Sequence, residues 1–266
     1  MAEVYKIGSC GDGVRKIQRA LSQAGYGVSV DGCFGAKTRD AVMKFQQSRG
    51  IKPVDGIVGS VTMAALMDTG GLDIVESHIS THITRSANRP LKYIAIHYTA
   101  GTTSKNGAAL QNRNVFLSRR ASADYIVDDE MIVEVNPDVR NYYCWAVGDK
   151  KNPYTGGGRL YGVATNKNTI SIEICSRLDK GTTAAVPNHE GWHFSDASVM
   201  RTVSLVRWLM KTYGITKENV VRHYDISGKA CPGIVGWNDA AVYTTDGKAT
   251  NRKSDSSKWK KFKDLL

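Results

Sequence analysis

The chain has 266 residues, of which 41% are hydrophobic and 23% are charged, and its formal net charge is +11. The length fits two domains, and the composition is that of a folded globular protein, which excludes an intrinsically disordered chain. Since no stretch reaches the ~18 consecutive apolar residues of a membrane span, we expect no integral membrane segment.

The positive charge favours polyanionic partners, such as nucleic acid, an anionic membrane surface, or a bacterial wall that carries carboxylates and phosphates. The basic residues are spread along the chain without a nucleic-acid motif, so we predict no nucleic-acid binding. The segment 259–263, Trp-Lys-Lys-Phe-Lys, forms a basic C-terminal tail that could contact an anionic surface.

The first ten residues contain neither a basic region nor an apolar stretch of the kind found in secretory signals, so we expect synthesis in the cytoplasm. The cysteines are an odd, dispersed set, which argues against a disulfide framework. They are Cys10, Cys33, Cys144, Cys175 and Cys231. The sequence leaves open whether Cys10 and Cys33 form a disulfide bond with each other.

An internal repeat organises the first part of the chain. Residues 31–42 align with residues 55–66, with Asp, Gly, Gly, Thr and Ala in register. Each copy reads as an Asp-Gly turn followed by a helix, and an apolar pattern with helical spacing precedes the first copy. Residues 8–67 resemble the three-helix peptidoglycan-binding domain, which implies an all-α domain at 1–68 that docks onto peptidoglycan. The alternative is a helical domain used only for packing.

Residues 69–88 lose apolar periodicity and include Thr69-Gly70-Gly71, so we predict a linker there. His78 and His82 are four residues apart, a spacing at which two histidines of a helix can share a metal. Without a third ligand nearby, two solvated surface histidines are the favoured interpretation.

Residues 89–266 alternate strand and helix patterns. Residues 93–98 predict a strand, 122–128 and 130–135 a hairpin, and 169–175 a strand that turns Glu173 away from the apolar face. A helix is expected from Ser195 to about Gly214, and a short strand or loop follows at 220–223. This order predicts an α/β domain with a mixed central sheet flanked by helices.

Two distant segments carry metal-ligand chemistry. His97 lies in Ile-Ala-Ile-His-Tyr-Thr, while His223 and Cys231 lie in the segment 222–233. Two imidazoles and one thiolate are ligands that Zn²⁺ favours, and three protein ligands leave the fourth tetrahedral position open for water. The sequence therefore predicts a catalytic zinc site and points to hydrolysis.

These two segments and Thr-Ile-Ser-Ile-Glu at 169–173 resemble the zinc-dependent N-acetylmuramoyl-L-alanine amidases, a family that includes phage endolysins and is related to peptidoglycan recognition proteins. The resemblance spans about residues 91–237. It implies cleavage of the amide between N-acetylmuramic acid and L-alanine of the stem peptide. It also implies one zinc ion held by His97, His223 and Cys231, with Glu173 as general base and Lys229 near the developing charge of the carbonyl oxygen.

One departure from the family pattern concerns a tyrosine that some members carry at the start of the hairpin. Ala123 occupies that position here, with Tyr125 two residues further on, so proton transfer is assigned to Glu173.

Residues 189–193 match the pattern His-Glu-x-x-His, in which a helix presents two zinc ligands. Gly191 and the preceding proline weaken a helix there, so we predict a loop without a second zinc site.

Two other functions remain open on the sequence: a non-catalytic recognition protein of the same fold, and a zinc endopeptidase of the stem peptide. A wall-binding domain without a secretory signal fits a phage or prophage endolysin that leaves the cytoplasm through a separate pore. A bacterial autolysin is the alternative origin. The oligomeric state is not predicted.

Overall fold

The computed structural model describes residues 4–68, 72, 74–101, 108–148, 158–179, 182 and 186–266. The chain divides into two compact units, Met1–Asp73 and Ile74–Leu266. In the described residues, no helix is both long enough and apolar enough to cross a membrane.

The first unit contains the three predicted helices, α1 (Asp12–Gln23), α2 (Ala36–Ser48) and α3 (Ser60–Asp68). The helical spacing of the sequence places one apolar face of α1 and one of α2 in a shared core. The fully buried side chains of this core include Val14, Ile17, Leu21, Val42, Phe45, Val58 and Leu66. The prediction of an all-α first domain is confirmed.

The two repeats carry the same hydrogen bonds. Gln46 Nε2 donates to Asp55 Oδ1 at 2.9 Å, and Gln18 Nε2 donates to Asp31 Oδ1 at 2.7 Å. Each glutamine Oε1 also accepts from the backbone N–H of the glycine after the aspartate, at 2.9 and 2.8 Å. Those glycines have φ of 70° and 80°, a region that other residues rarely adopt. A buried glutamine thus fixes each Asp-Gly turn to its helices.

The second unit contains twelve strands and four helices within its described residues. The strands are β1 (Ile74–Glu76), β2 (Ile83–Arg85), β3 (Tyr93–Tyr98), β4 (Tyr125–Val127), β5 (Ile132–Glu134), β6 (Tyr142–Cys144), β7 (Thr169–Ile174), β8 (Arg177–Leu178), β9 (Trp192–His193), β10 (Val220–Arg222), β11 (Ala241–Tyr243) and β12 (Ala249–Lys253). The helices are α4 (Ala108–Ser118), α5 (Asp196–Tyr213), α6 (His223–Ser227) and α7 (Ser257–Asp264).

Six strands form the central sheet in the order β1-β5-β4-β7-β3-β10. The hairpin β4–β5 is antiparallel, and the other four pairings are parallel, so the sheet is mixed as predicted. Three small antiparallel sheets, β2–β6, β8–β9 and β11–β12, lie outside it. Because β3 and β7 are buried in the middle of the sheet, their side chains are held in a rigid framework.

Helix α5 has the predicted ends. Ser195 Oγ accepts from the backbone N–H of Ser198 at 3.1 Å, and Gly214 closes the helix with φ of 67°. Helix α4 was not predicted, because its buried residues are mainly small alanines that give a weak helical pattern.

The stretch predicted as a linker, 69–88, contains two strands of the second unit. Strand β1 pairs in parallel with β5 at the edge of the central sheet, and β2 pairs with β6. Three residues are too few to show a period of two, and the partners of these strands lie more than 50 residues away. Thr69, Gly70 and Gly71 lie outside the described residues.

Arg89, which follows this stretch, is buried and holds several segments together. Its guanidinium donates to backbone carbonyl groups of Val139, Tyr142, Asn166, Lys167 and Thr169. It also lies 3.5 Å from the buried carboxylate of Asp124. The attraction between the two opposite charges offsets the free-energy cost of removing each of them from water.

The basic tail is also more ordered than the sequence suggests. Trp259 and Phe262 of α7 are buried and pack on Trp237, with ring centroids 6.1 and 5.3 Å away. The exposed residues of this helix are polar and include Lys258, Lys260 and Lys261, whereas its aromatic residues are not free to contact a surface.

Candidate metal centre

The sheet brings the three predicted metal ligands to one edge. His97 is the fifth of the six residues of β3, and His223 follows directly after the neighbouring strand β10. In the parallel register Arg222 lies opposite Ile96, so the two histidines are level. The turn after α6 then returns Cys231 to the same place, where its carbonyl oxygen accepts from the backbone N–H of Tyr224 at 2.8 Å.

The ligand atoms of His97, His223 and Cys231 all lie within 4.8 Å of one another, and all three side chains are buried. His97 Nδ1 is 3.7 Å from Cys231 Sγ, and the two imidazole centroids are 4.7 Å apart. Zinc bonds of ~2.0 Å to nitrogen and ~2.3 Å to sulfur at a tetrahedral angle would separate those atoms by about 3.5 Å. The donor set and its spacing therefore fit a zinc ion.

Neighbouring groups orient the imidazole of His223. Its Nε2 lies 3.1 Å from the carbonyl oxygen of Val147, so Nε2 carries the proton and Nδ1 keeps its lone pair for a ligand. Burial lowers the pKa of His223 to about 4 and lowers that of His97 well below its usual range. Both imidazoles are therefore neutral at physiological pH, as metal binding requires.

The thiol of Cys231 is held in its protonated form as long as no cation is present. Burial and the nearby Glu173 raise its pKa to about 12, while Lys229 and the backbone N–H of Tyr98 act in the opposite direction. Ligation of a divalent cation would require loss of the thiol proton, which the charge of the cation would favour. The trio would then provide two neutral nitrogens and one thiolate.

Glu173 lies in β7, opposite His97 in the parallel register of β3 and β7. Its Oε2 atom is shielded from solvent and has no hydrogen-bond partner among the described residues. Burial raises the pKa of this carboxyl to about 8, and Lys229 and Arg119 lower it by smaller amounts. A carboxyl group with a pKa near the working pH can both accept and release a proton.

Lys229 follows Gly228, the left-handed residue that ends α6. Its side chain is exposed, yet its charge acts on Glu173 and on all three candidate metal ligands. Lys229 therefore lies at the rim of the site, where it can reach a bound molecule.

The site opens into a cleft of about 930 Å³, which is large enough for an extended organic ligand. All five predicted site residues line it, so the structure brings the whole set together. The wall also contains residues that the sequence did not reveal, notably Arg119, Trp145 and Tyr243. They lie in or after short elements far apart in the chain, and no local motif marks them.

The other candidate histidines do not join a metal cluster. His78 Nε2 lies 3.7 Å from Glu134 Oε2, and His82 Nδ1 lies 2.8 Å from a backbone carbonyl oxygen. In the segment 189–193, His189 Nδ1 accepts from the backbone N–H of Gly191, and strand β9 occupies the last two residues. Across the described ranges, the trio at the sheet edge is the one group of His, Cys, Asp and Glu placed to share an ion.

Neither Ala123, at the position of the family tyrosine, nor the nearby Tyr125 belongs to the site. Ala123 is buried, and Tyr125 donates its hydroxyl to Glu134 Oε1 at 2.7 Å. Neither residue lines the cleft. No tyrosine at these two positions is placed to share the proton chemistry with Glu173.

Comparison with known families gives the same division of the chain. The family model described as N-acetylmuramoyl-L-alanine amidase matches residues 87–234, which is more than half of the chain. The chain belongs to the N-acetylmuramoyl-L-alanine amidase family. A second model, described as a putative peptidoglycan binding domain, matches residues 10–66 in the first unit of this amidase-family chain.

Curated relatives agree with this assignment. The N-acetylmuramoyl-L-alanine amidase CwlL of Bacillus licheniformis is 30% identical over 163 residues, which cover 58% of this chain and 39% of the relative. The amidase XlyB of Bacillus subtilis (strain 168) is 31% identical over 144 residues, which cover 53% of this chain and 37% of the relative. The chain thus matches less than half of the length of these relatives.

Among solved structures, the catalytic domain of XlyA is 22% identical, with 73% of this chain and 99% of that domain covered and a TM-score of 0.48. The structure of PlyL is 24% identical, with 60% of this chain and 87% of that chain covered and a TM-score of 0.43.

Proposed function

We propose that this member of the amidase family hydrolyses the amide between the lactyl group of N-acetylmuramic acid and L-alanine of the stem peptide. The observation that carries the proposal is a buried His-His-Cys trio beside a shielded carboxyl group, both open to one cleft. This combination is what metal-assisted hydrolysis needs: ligands, a proton acceptor and room for a substrate.

We further propose zinc as the cofactor, held by His97, His223 and Cys231. When bound, the ion supplies Lewis-acid polarisation of a carbonyl group and lowers the pKa of water to ~7. Neighbouring backbone groups also support two of the proposed ligands. Val147 fixes the ring of His223, and the backbone N–H of Tyr98 favours the thiolate of Cys231.

Glu173 would carry out the proton transfers of the reaction. Its shielded Oε2 atom has no competing partner in the described part of the chain, so it is available to a reacting group in the cleft. As general base it takes the proton that the attacking water loses, and as general acid it delivers that proton to the departing amine of L-alanine. The raised pKa suits the second step, because the protonated carboxyl persists near neutral pH.

Lys229 would act on the carbonyl oxygen of the scissile amide. This oxygen gains negative charge in the tetrahedral intermediate, and a cation at the rim of the cleft stabilises that charge more than it stabilises the neutral substrate. The exposed side chain can adapt to the bound substrate. Its role is therefore electrostatic, distinct from the proton transfer of Glu173.

The helical first unit would hold the enzyme on peptidoglycan. Its support is the match of residues 10–66 to a putative peptidoglycan binding domain, together with the three-helix fold. Binding through one unit raises the effective concentration of wall substrate for the other, so modest affinity in each unit suffices.

The decisive experiment is digestion of purified peptidoglycan by the wild type, by Cys231→Ser and by Cys175→Ser. Cys175 is a matched control, since it is also buried but lies outside the trio, where Asn112 Nδ2 contacts its sulfur at 3.6 Å. Bound zinc is measured by elemental mass spectrometry, and newly freed amino termini are identified by end-group labelling.

We expect one zinc per chain and freed N-terminal alanine with the wild type and the control. Cys231→Ser should lose both. Freed amines on other residues would favour a stem-peptide endopeptidase, and bound zinc without any freed amine would favour a recognition protein. Either result would overturn the proposed reaction.

A further inference from the structure

Two exposed cysteines of the first unit face each other. Cys10 and Cys33 form an isolated antiparallel bridge, in which Cys10 lies two residues before the start of α1 and Cys33 directly follows the Asp-Gly pair of the first repeat. The residues on either side make the backbone hydrogen bonds, at 2.9 and 2.8 Å. The cysteines therefore occupy a non-hydrogen-bonded pair, the position in which the Cα atoms of facing residues are only ~4.5 Å apart.

The two sulfur atoms are 3.0 Å apart. A disulfide bond measures about 2.05 Å and needs Cα atoms roughly 4.4–6.8 Å apart, a range that includes a facing pair of this kind. Bond formation would thus require a movement of about 1 Å, within the reach of small side-chain rotations. The hydrogen bond with Cys10 raises the pKa of Cys33, as expected for two thiols too close to ionise together.

The other three cysteines have different surroundings. Cys144, Cys175 and Cys231 are buried in the second unit, and Cys231 belongs to the metal trio. A soluble oxidant can therefore reach the exposed pair first. The sequence alone could not show this pairing, because 22 residues separate the two cysteines and no disulfide framework surrounds them.

We propose that Cys10 and Cys33 form a reversible disulfide bond. The two residues are free thiols in reducing surroundings, and in oxidising surroundings a low-molecular-weight disulfide oxidises them to the Cys10–Cys33 bond. One thiolate attacks the small disulfide and expels one thiol, which leaves a mixed disulfide. The second thiolate attacks the protein sulfur, the Cys10–Cys33 bond forms, and a second small thiol leaves. Two electrons pass to the small disulfide, and the two cysteine protons end on the released thiols.

The cross-link would act on the binding unit. It closes a loop that contains the whole of α1 (Asp12–Gln23) and the turn held by Gln18, so it restricts the unfolded chain around the first repeat. Closure therefore makes local opening of α1 rarer, and amide hydrogen exchange in that helix should slow by about 10–100-fold. The chemistry of the cleft in the second unit is not needed for this effect.

The test uses the full chain, equilibrated with reduced or oxidised glutathione, quenched with acid and alkylated after denaturation. In the oxidised sample we expect two alkyl groups fewer than in the reduced sample, with the tryptic peptides 7–15 and 20–37 joined. Cys144, Cys175 and Cys231 should be recovered alkylated. Peptides from α1 should exchange more slowly in the oxidised wild type, and the double variant Cys10→Ser, Cys33→Ser should show no such redox dependence.

Alkylation of both cysteines after exposure to excess oxidised glutathione would overturn the proposal. So would stable mixed disulfides at each position, or cross-links only between molecules. Peptide mapping of the wild type decides the point even if the double variant folds poorly. None of these readouts measures hydrolysis, so the proposed amidase activity can fail while this proposal stands, and the reverse also holds.

Discussion

Glu173 lies opposite His97 in the parallel register between the two central strands β3 and β7. Facing residues of neighbouring strands project from the same side of a sheet, so a candidate proton acceptor and a candidate metal ligand reach the cleft together. Each is held by a strand that is hydrogen-bonded on both sides. This rigidity is what a catalytic pair needs, because small displacements of reacting groups cost large factors in rate.

Glu173→Gln should abolish most of the hydrolysis and leave the metal in place. Glutamine keeps the size of the side chain but cannot accept a proton, so we expect kcat to fall by about 10²–10⁴-fold. The trio is unchanged, so the zinc content should equal that of the wild type. Glu190→Gln is the control, since Glu190 is an exposed glutamate that pairs with Arg252. Activity within tenfold of the wild type in Glu173→Gln would remove Glu173 from the mechanism.

Lys229→Met should lower kcat by about 10²-fold while KM changes less. The lost cation stabilises charge that exists only in the transition state, so its removal affects the chemical step more than binding. Lys248→Met provides the comparison, because Lys248 is exposed and pairs with Asp246 at 2.8 Å. Steady-state kinetics on a soluble muropeptide separate the two parameters. A pure rise in KM would instead assign Lys229 to substrate binding.

The sequence predicted the metal trio and Glu173 because each lies in a short segment with its own pattern. His97 follows an apolar run, and Cys231 follows His223 within one short segment of the sequence. The aromatic wall of the cleft had no such signal. Trp145 lies after β6, and Tyr243 ends β11, so only the folded chain brings them together.

The fold was predictable wherever elements were long or strongly patterned. The repeat revealed the helices of the first unit, and alternation revealed β3 and β7. Strands β1 and β2 are three residues long and are stabilised by distant partners, so the sequence indicated a linker instead. Arg89 shows the same limit, since an arginine at a predicted boundary gives no sign that five carbonyl groups surround it.

Arg89→Met should destabilise the second unit by about 3–5 kcal/mol. The change leaves the buried carboxylate of Asp124 without its cation and removes the donor from several carbonyl groups. All five tryptophans lie in the second unit, so denaturant unfolding followed by tryptophan fluorescence reports on this unit alone. Arg85→Met, at an exposed position of β2, should change the free energy of unfolding by less than ~0.5 kcal/mol. Equal effects of both variants would contradict this role of Arg89.

The first unit should lose stability in acid through its two turn aspartates. The backbone N–H of Ile57 and the amide of Gln46 lower the pKa of Asp55 below its usual value of 3.8. The backbone N–H of Cys33 and the amide of Gln18 lower the pKa of Asp31 in the same way. Above about pH 5 the carboxylate is charged in both states, so the stabilisation is fully present. As the pH falls through 3.8 towards the folded pKa, the unfolded chain takes up the proton first and the stabilisation is lost.

Hydrogen exchange in peptides from α2 (Ala36–Ser48) measures this loss in the first unit. Between pH 6 and pH 3, protection factors corrected for intrinsic exchange should fall in the wild type. They should fall less in Asp55→Asn, which has no proton to gain. The control is Asp40→Asn, an exposed aspartate of α2 paired with Arg39 and outside both turns, and it should behave as the wild type. An unchanged pH dependence in Asp55→Asn would mean that the turn carboxylate does not set the acid stability of this unit.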